Sequence, residues 1–141
     1  MPELNKKIPE LPRMIEWIFF CTSAVPNEIG GLDIQNLSRS FNRSSLFALT
    51  IVFKMAFQPS NDADEMRIAG RTYRLHDEWL LQLVIEDQAD AQLYSHQTEV
   101  IYADQIIGLS FDPMPAMEAG HYLVKILVDG FLEHSLDLFI V

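Results

Sequence analysis

The sequence predicts an antiparallel β-sandwich of seven to nine short strands, with a small β-barrel as the alternative. Three observations carry that expectation. Large apolar residues alternate with period two through Leu46–Phe57, Trp79–Asp87 and Tyr122–Val128, the pattern of strands with one buried face. Turn signals separate these runs, Asp129-Gly130 foremost among them. No strand–helix–strand succession points to a parallel sheet.

The strands follow in order. The residues MIEWIFFCTSA, Met14–Ala24, fit helical spacing at Met14, Ile15, Ile18, Phe19 and Thr22, but their aromatic and β-branched content favours a strand. VPNEIGG is a loop, and Leu32–Phe41 reads as a second strand. In Leu46–Phe57 the odd positions Phe47, Leu49, Ile51, Phe53, Met55 and Phe57 are all large and apolar, which predicts a central strand. Arg67–Leu75 fits a charged edge strand, or one helical turn. Trp79–Asp87 puts Trp79, Leu81, Leu83 and Ile85 on one face, and after the polar turn Glu86–Asp90 a strand Gln92–Tyr102 runs back. A short strand at Gln105–Phe111 precedes a loop with two prolines, and a closing hairpin runs from His121 to Ile140. Its last strand is expected to complete a sheet.

The 141 residues suit one domain, 1–141, with residues 1–12 as a proline-rich N-terminal arm. Cys21 is the only cysteine, which excludes an internal disulfide and points to a reducing compartment. The N-terminus lacks a basic stretch followed by an apolar one, so a secretory signal is not expected. No apolar run is long enough to span a bilayer as a helix. A cytoplasmic protein without membrane association is the expectation.

Charge is uneven. Residues 1–74 hold nine Lys and Arg against eight Asp and Glu, a net of +1, whereas residues 75–141 set only Lys125 against twelve Asp and Glu, a net of −11. So acidic a half repels phosphate backbones, and nucleic acid is not an expected partner.

Neither a GxGxxG nor a GxxxxGK loop nor a GxSxG elbow is present among six glycines. Cys21 lies beside Phe19 and Phe20, where a thiol acts as a small hydrophobe. No two of His76, His96, His121 and His134 are spaced as a local metal pair. His121 and His134 are expected to face each other across the closing hairpin, near its open end. Up-and-down alternation would gather Asn61–Glu65, Glu86–Asp90 and Asp112–Glu118 at one end, making Asp62, Asp64, Glu86, Asp87, Asp90 and Asp112 a candidate calcium cluster. Asp is also common in turns for its own hydrogen-bonding geometry. No cofactor is implied.

Outward positions say more. Leu123 and Leu127 flank Lys125 on the outer face of the closing hairpin, and Ala48 and Ala56 lie on the outer face of the central strand. Apolar and small residues there ask for a covering layer: another part of the chain, a protein partner or the other half of a homodimer.

The order "WIFFCTSA", "GGLDIQNLSRSF", "LFALTIVFKMAF", "WLLQLVIEDQADAQ" and "AGHYLVKILVDG…LFIV" resembles a domain-of-unknown-function family of small bacterial β-sandwich proteins. Thr22 stands where that pattern has an acidic residue after the Cys. The Gly120-His121-Tyr122 strand resembles the penultimate strand of immunoglobulin-like sandwiches. These resemblances imply the fold and no activity. The functional expectation is a non-enzymatic protein-interaction module. The alternatives are a cation- or ligand-binding sandwich using the acidic loops, and an enzyme built from scattered residues such as His96, His121 and His134.

Overall fold

A computed structural model describes residues 8, 10–43, 49–57, 65–111 and 117–141. Among them are the strands β1 (Glu10–Leu11), β2 (Ile15–Cys21), β3 (Ser23–Pro26), β4 (Leu32–Gln35), β5 (Ser40–Phe41), β6 (Leu49–Met55) and β7 (Glu65–Ile68). They continue with β8 (Arg71–Arg74), β9 (Glu78–Glu86), β10 (Gln92–Ile101), β11 (Ile106–Phe111), β12 (Gly120–Val128) and β13 (Phe131–Ile140). The described residues include no α-helix.

The strands form a five-stranded sheet in the order β10-β9-β12-β13-β5, three-stranded sheets β11-β6-β2 and β1-β7-β8, and the pair β3-β4. Neighbours run antiparallel except β13 with β5 and β1 with β7. No sheet closes on itself, so the barrel alternative falls.

Alternation decides which residues go inside. Trp79, Leu81, Leu83 and Ile85 of β9, Tyr122, Val124, Ile126 and Val128 of β12, and Leu49, Ile51, Phe53 and Met55 of β6 belong to one buried cluster. The five-stranded sheet and the β11-β6-β2 sheet therefore share a core. The Phe53 ring stands edge-on to Trp79, with centroids 6.3 Å apart, a favoured aromatic geometry. Each such side chain contributes about 1.5–3 kcal/mol on burial before conformational entropy is charged.

The registers define two ends. At the turn end lie Asp129-Gly130, the start of β9 and, through Ile15 opposite Met55, the finish of β6. At the open end lie the β9–β10 turn, the start of β12 and, through Phe111 opposite Leu49, the start of β6. Asp129 (φ 49°) and Gly130 (φ 85°) form the expected tight turn. Asp129 also receives the Tyr73 hydroxyl at 2.8 Å and the Leu80 amide at 3.0 Å, and lies 3.4 Å from an Arg71 guanidinium nitrogen.

The structure corrects several strand expectations. Arg67–Leu75 is a hairpin rather than a single strand: β7 turns through Ala69 (φ 50°) and Gly70 (φ 82°) into β8. Leu32–Phe41 divides into β4 and β5 around Asn36, whose φ of 54° interrupts the extended backbone. β13 does not end its sheet, because β5 pairs along its far side.

Both faces of β6 are buried. Thr50 and Val52 point away from the shared core yet are only 4% and 0% exposed. The β3–β4 hairpin lies over this outer face, in contact with β6 and β11. Gly108 of β11, opposite Val52, makes that approach close: a Cβ built there would fall 2.7 Å from the Ala24 Cβ. Gly108→Ala is expected to cost about 1–3 kcal/mol despite the gain in strand propensity. Ala24→Gly in the same chain should restore most of the loss, as read by urea denaturation.

Candidate functional site

The outer face of the five-stranded sheet follows from the same alternation. β9 contributes Leu80, Gln82, Val84 and Glu86. β12 contributes His121, Leu123, Lys125 and Leu127, and its register sets Leu123 beside Glu86, Lys125 beside Val84 and Leu127 beside Gln82. On the other flank β13 sets Asp137 beside Leu123, Ser135 beside Lys125 and Leu132 beside Leu127. Leu123, Lys125 and Leu127 are half-buried, while Leu132 and Phe139 are exposed. No described strand is layered over these leucines in the way β3–β4 is layered over β6.

Lys125 is held in place. Its Nζ lies 2.5 Å from Glu86 Oε1 and donates a hydrogen bond to Oε2 at 3.3 Å. Glu86 is only 9% exposed, so its carboxylate depends on that partner. Val84, beside Lys125 on the same face, is also only 9% exposed. The result is a surface on which Leu123, Leu127 and Leu132 surround one ion pair.

Of the alanines expected on the outer face of β6, Ala48 lies outside the described residues. Ala56 lies just past β6 and serves through its backbone. Its N–H donates to Met14 O at 2.6 Å, and its carbonyl accepts the Tyr102 hydroxyl at 2.7 Å. Burial pushes the Tyr102 hydroxyl up to about 12, so it stays protonated and donating at neutral pH.

At the open end, His121 joins strand and turn. Gln88 Nε2 lies 3.2 Å from His121 Nδ1, and His121 Nε2 lies 2.8 Å from Asp137 Oδ1. An amide nitrogen can only donate, so Nδ1 accepts from Gln88 and Nε2–H donates to Asp137. The ring stacks on Phe139 at 4.7 Å. Asp87, Gln88, Ala89, Gly120, His121 and Tyr122 line a shallow hollow of about 370 Å³ beside it.

The expected pairing of His121 with His134 is corrected. The tight turn pairs Val128 with Phe131, and residues at unequal distances from a turn cannot face each other. His121 stands opposite Phe139, whereas His134 stands opposite Ile126, after a bulge at Glu133. His134 Nε2 donates to the Ile15 carbonyl at 2.9 Å, and the Ile15 amide donates to Glu133 Oε1 at 2.9 Å. His96, on β10 opposite Leu83, packs edge-on against Phe111. The three histidines do not converge.

Three residues of the acidic cluster are described, Glu86, Asp87 and Asp90. Asp62, Asp64 and Asp112 lie outside the described residues. Ala56 and Glu65, which bracket the first two, are tied to the turn end: Ala56 through Tyr102, and Glu65 through its pairing with Arg74. Glu86, Asp87 and Asp90 stand at the open end. There Glu86 pairs with Lys125, and Asp87 Oδ1 accepts the amides of Ala89 and Ala91 at 2.8 and 3.0 Å, closing the turn. Asp90 takes a left-handed φ of 61° within it. Among the described residues no group of three or more His, Cys, Asp or Glu could hold a metal ion. Cys21 is buried, and burial raises its thiol pKa.

No family model matches the chain, and a search of curated proteins finds no match. Among the described residues no helix is long and apolar enough to cross a membrane.

Lys125→Met is expected to destabilise the protein by about 1–3 kcal/mol, because it strands the Glu86 carboxylate. In a Glu86→Gln background the same substitution should cost less than half as much. Chemical denaturation of the four proteins measures this coupling.

Proposed function

We propose that the chain is a β-sandwich of immunoglobulin-like topology that acts as a non-enzymatic protein-interaction module through the outer face of its five-stranded sheet. Three features support the topology. β6 and β11 pair in one sheet while β9, β12 and β13 lie together in the other, with β10 added beyond β9. This is the distribution of the B and E strands against the C, F and G strands, with an additional C′ strand. Tyr122, near the start of β12, donates its hydroxyl to the Glu118 carbonyl four residues upstream at 2.7 Å. That is the tyrosine corner of such sandwiches. Trp79 is 2% exposed on β9, the strand on which immunoglobulin domains bury a tryptophan.

The observation that carries the function is the contrast between the two outer faces. The chain covers the middle of one with its own β3–β4 hairpin, with Phe19 and Ile106 exposed at its margins, and leaves Leu123, Leu127 and Leu132 around the Lys125–Glu86 pair on the other without such a cover. Apolar side chains set among polar ones on a firm sheet suit protein contact. The lone buried Cys21 fits a reducing, cytoplasmic setting.

Affinity capture from the native cell tests the reading, with the intact chain and its Leu123→Lys variant as baits. The new lysine would lie between Glu86 and Asp137, so the fold should survive, as a thermal melt verifies. A partner identified by mass spectrometry with the parent chain and lost with the variant supports the proposal. Retention of the same partners by both baits, or of none by either, contradicts it.

A further inference from the structure

β10 is an edge strand of the five-stranded sheet. No described strand pairs along its outer side, so its outward N–H and C=O groups form a template for another strand. The edge of β11 is also uncharged, but it is six residues long against the ten of β10, and the remaining edges are short, charged or occupied. β8 is four residues long with Arg71 and Arg74, and β4 is four residues long with Asp33. β5 has only two residues. The β2 edge is met by the following segment, where Ser38 N donates to Phe20 O. β10 runs for ten residues with no proline, lysine or arginine, and Glu99 is its only carboxylate. Leu93 near one end and Ile101 at the other are 42% and 51% exposed.

We propose that β10 is a self-pairing edge: two copies of the chain join β10 to β10 antiparallel about a two-fold axis at Gln97, making one continuous sheet. This rests on the interaction-module reading and names its partner as a second copy.

Strand chemistry selects the register. Residues opposite one another in a sheet share a face. In β10, Tyr94, His96, Thr98 and Val100 follow the inward residues of β9, while Ser95, Gln97, Glu99 and Ile101 follow the outward ones. A symmetric pair must therefore centre on a residue rather than between two. Centring on Gln97 sets Ser95 against Glu99, His96 against Thr98 and Tyr94 against Val100. It also brings the exposed Leu93 end of each copy to the exposed Ile101 end of the other. No like charges meet. Centring on His96 would oppose two histidines and set Ile101 against Ala91, outside the strand. The pairing adds main-chain hydrogen bonds over about 30 Å of strand. A single strand pair buries little area, and two chains of charge −10 repel, so the dimer is weak, in the micromolar range.

Light scattering coupled to size exclusion, from micromolar to millimolar chain, is expected to show the mass rising from one chain to two. Gln97→Lys places two ammonium groups opposite each other and should raise the concentration needed by about tenfold or more. Ile106→Lys, on β11, should leave it unchanged. Gln97→Cys should form a disulfide-linked dimer under mild oxidation far faster than Glu99→Cys, because only residue 97 faces its own copy. A monomer at millimolar concentration overturns the proposal, as does dissociation by Ile106→Lys in place of Gln97→Lys, or equal cross-linking by the two cysteine variants. A monomer that still captures another protein through Leu123 removes self-pairing and leaves the interaction reading standing. Loss of both removes both.

Discussion

The structure depends on the packing of one face of β6 against β9 and β12. Leu49, Ile51, Phe53 and Met55 are each 0% exposed, and Phe53 meets Trp79 across the gap between sheets. A strand rotated by one residue would present Thr50, Val52 and Lys54 to the core instead, so the hydrophobic alternation permits one register. With β6 fixed, its neighbours β2 and β11 take their places through backbone pairing, and the five-stranded sheet has a surface to close against.

Polar contacts then tie down what the core leaves free. At the turn end, the Asp129 carboxylate joins the β12–β13 turn to Tyr73 of β8 and to the backbone of β9. The bulge at Glu133 turns Glu133 and His134 toward both polar groups of Ile15, which links β13 to β2 across the sheets. Arg71 lies over the Phe131 ring at 3.9 Å, closing the same corner. These contacts engage polar groups that would otherwise be stranded at strand ends.

What could be read from the sequence was whatever alternation and turn chemistry encode locally. β6, β9, β12, β13 and the Asp129-Gly130 turn are written that way, and so is the outward placement of Leu123, Lys125 and Leu127. The hairpin at Ala69-Gly70 was hidden because Arg67–Leu75 alternates like one strand, and its first turn residue is an alanine with positive φ. The cover over β6 had one signal in advance, a glycine inside the apolar strand Ile106–Phe111, where a close backbone approach is the usual reason. The partner of Lys125 was unreadable, because the register of β9 against β12 joins residues 39 positions apart. β7 and β8 reverse the chain where Arg67–Leu75 reads as one strand. That leaves the flanks of residues 58–64 at the end opposite the Asp87–Ala91 turn.

The protein thus has one sheet whose outer face is partly covered by the β3–β4 hairpin and one whose outer face carries no described strand, with β10 at its edge. The account stands on a single core shared between two sheets, and native-state hydrogen exchange tests that most directly. The prediction is that the slowest amides of β6, β9 and β12 exchange with one common free energy, equal to that of global unfolding, while the outward amides of β10 exchange far faster in dilute solution. Separate protection levels for β6 and for the β9–β12 pair would mean two independently stable sheets, and would contradict the account.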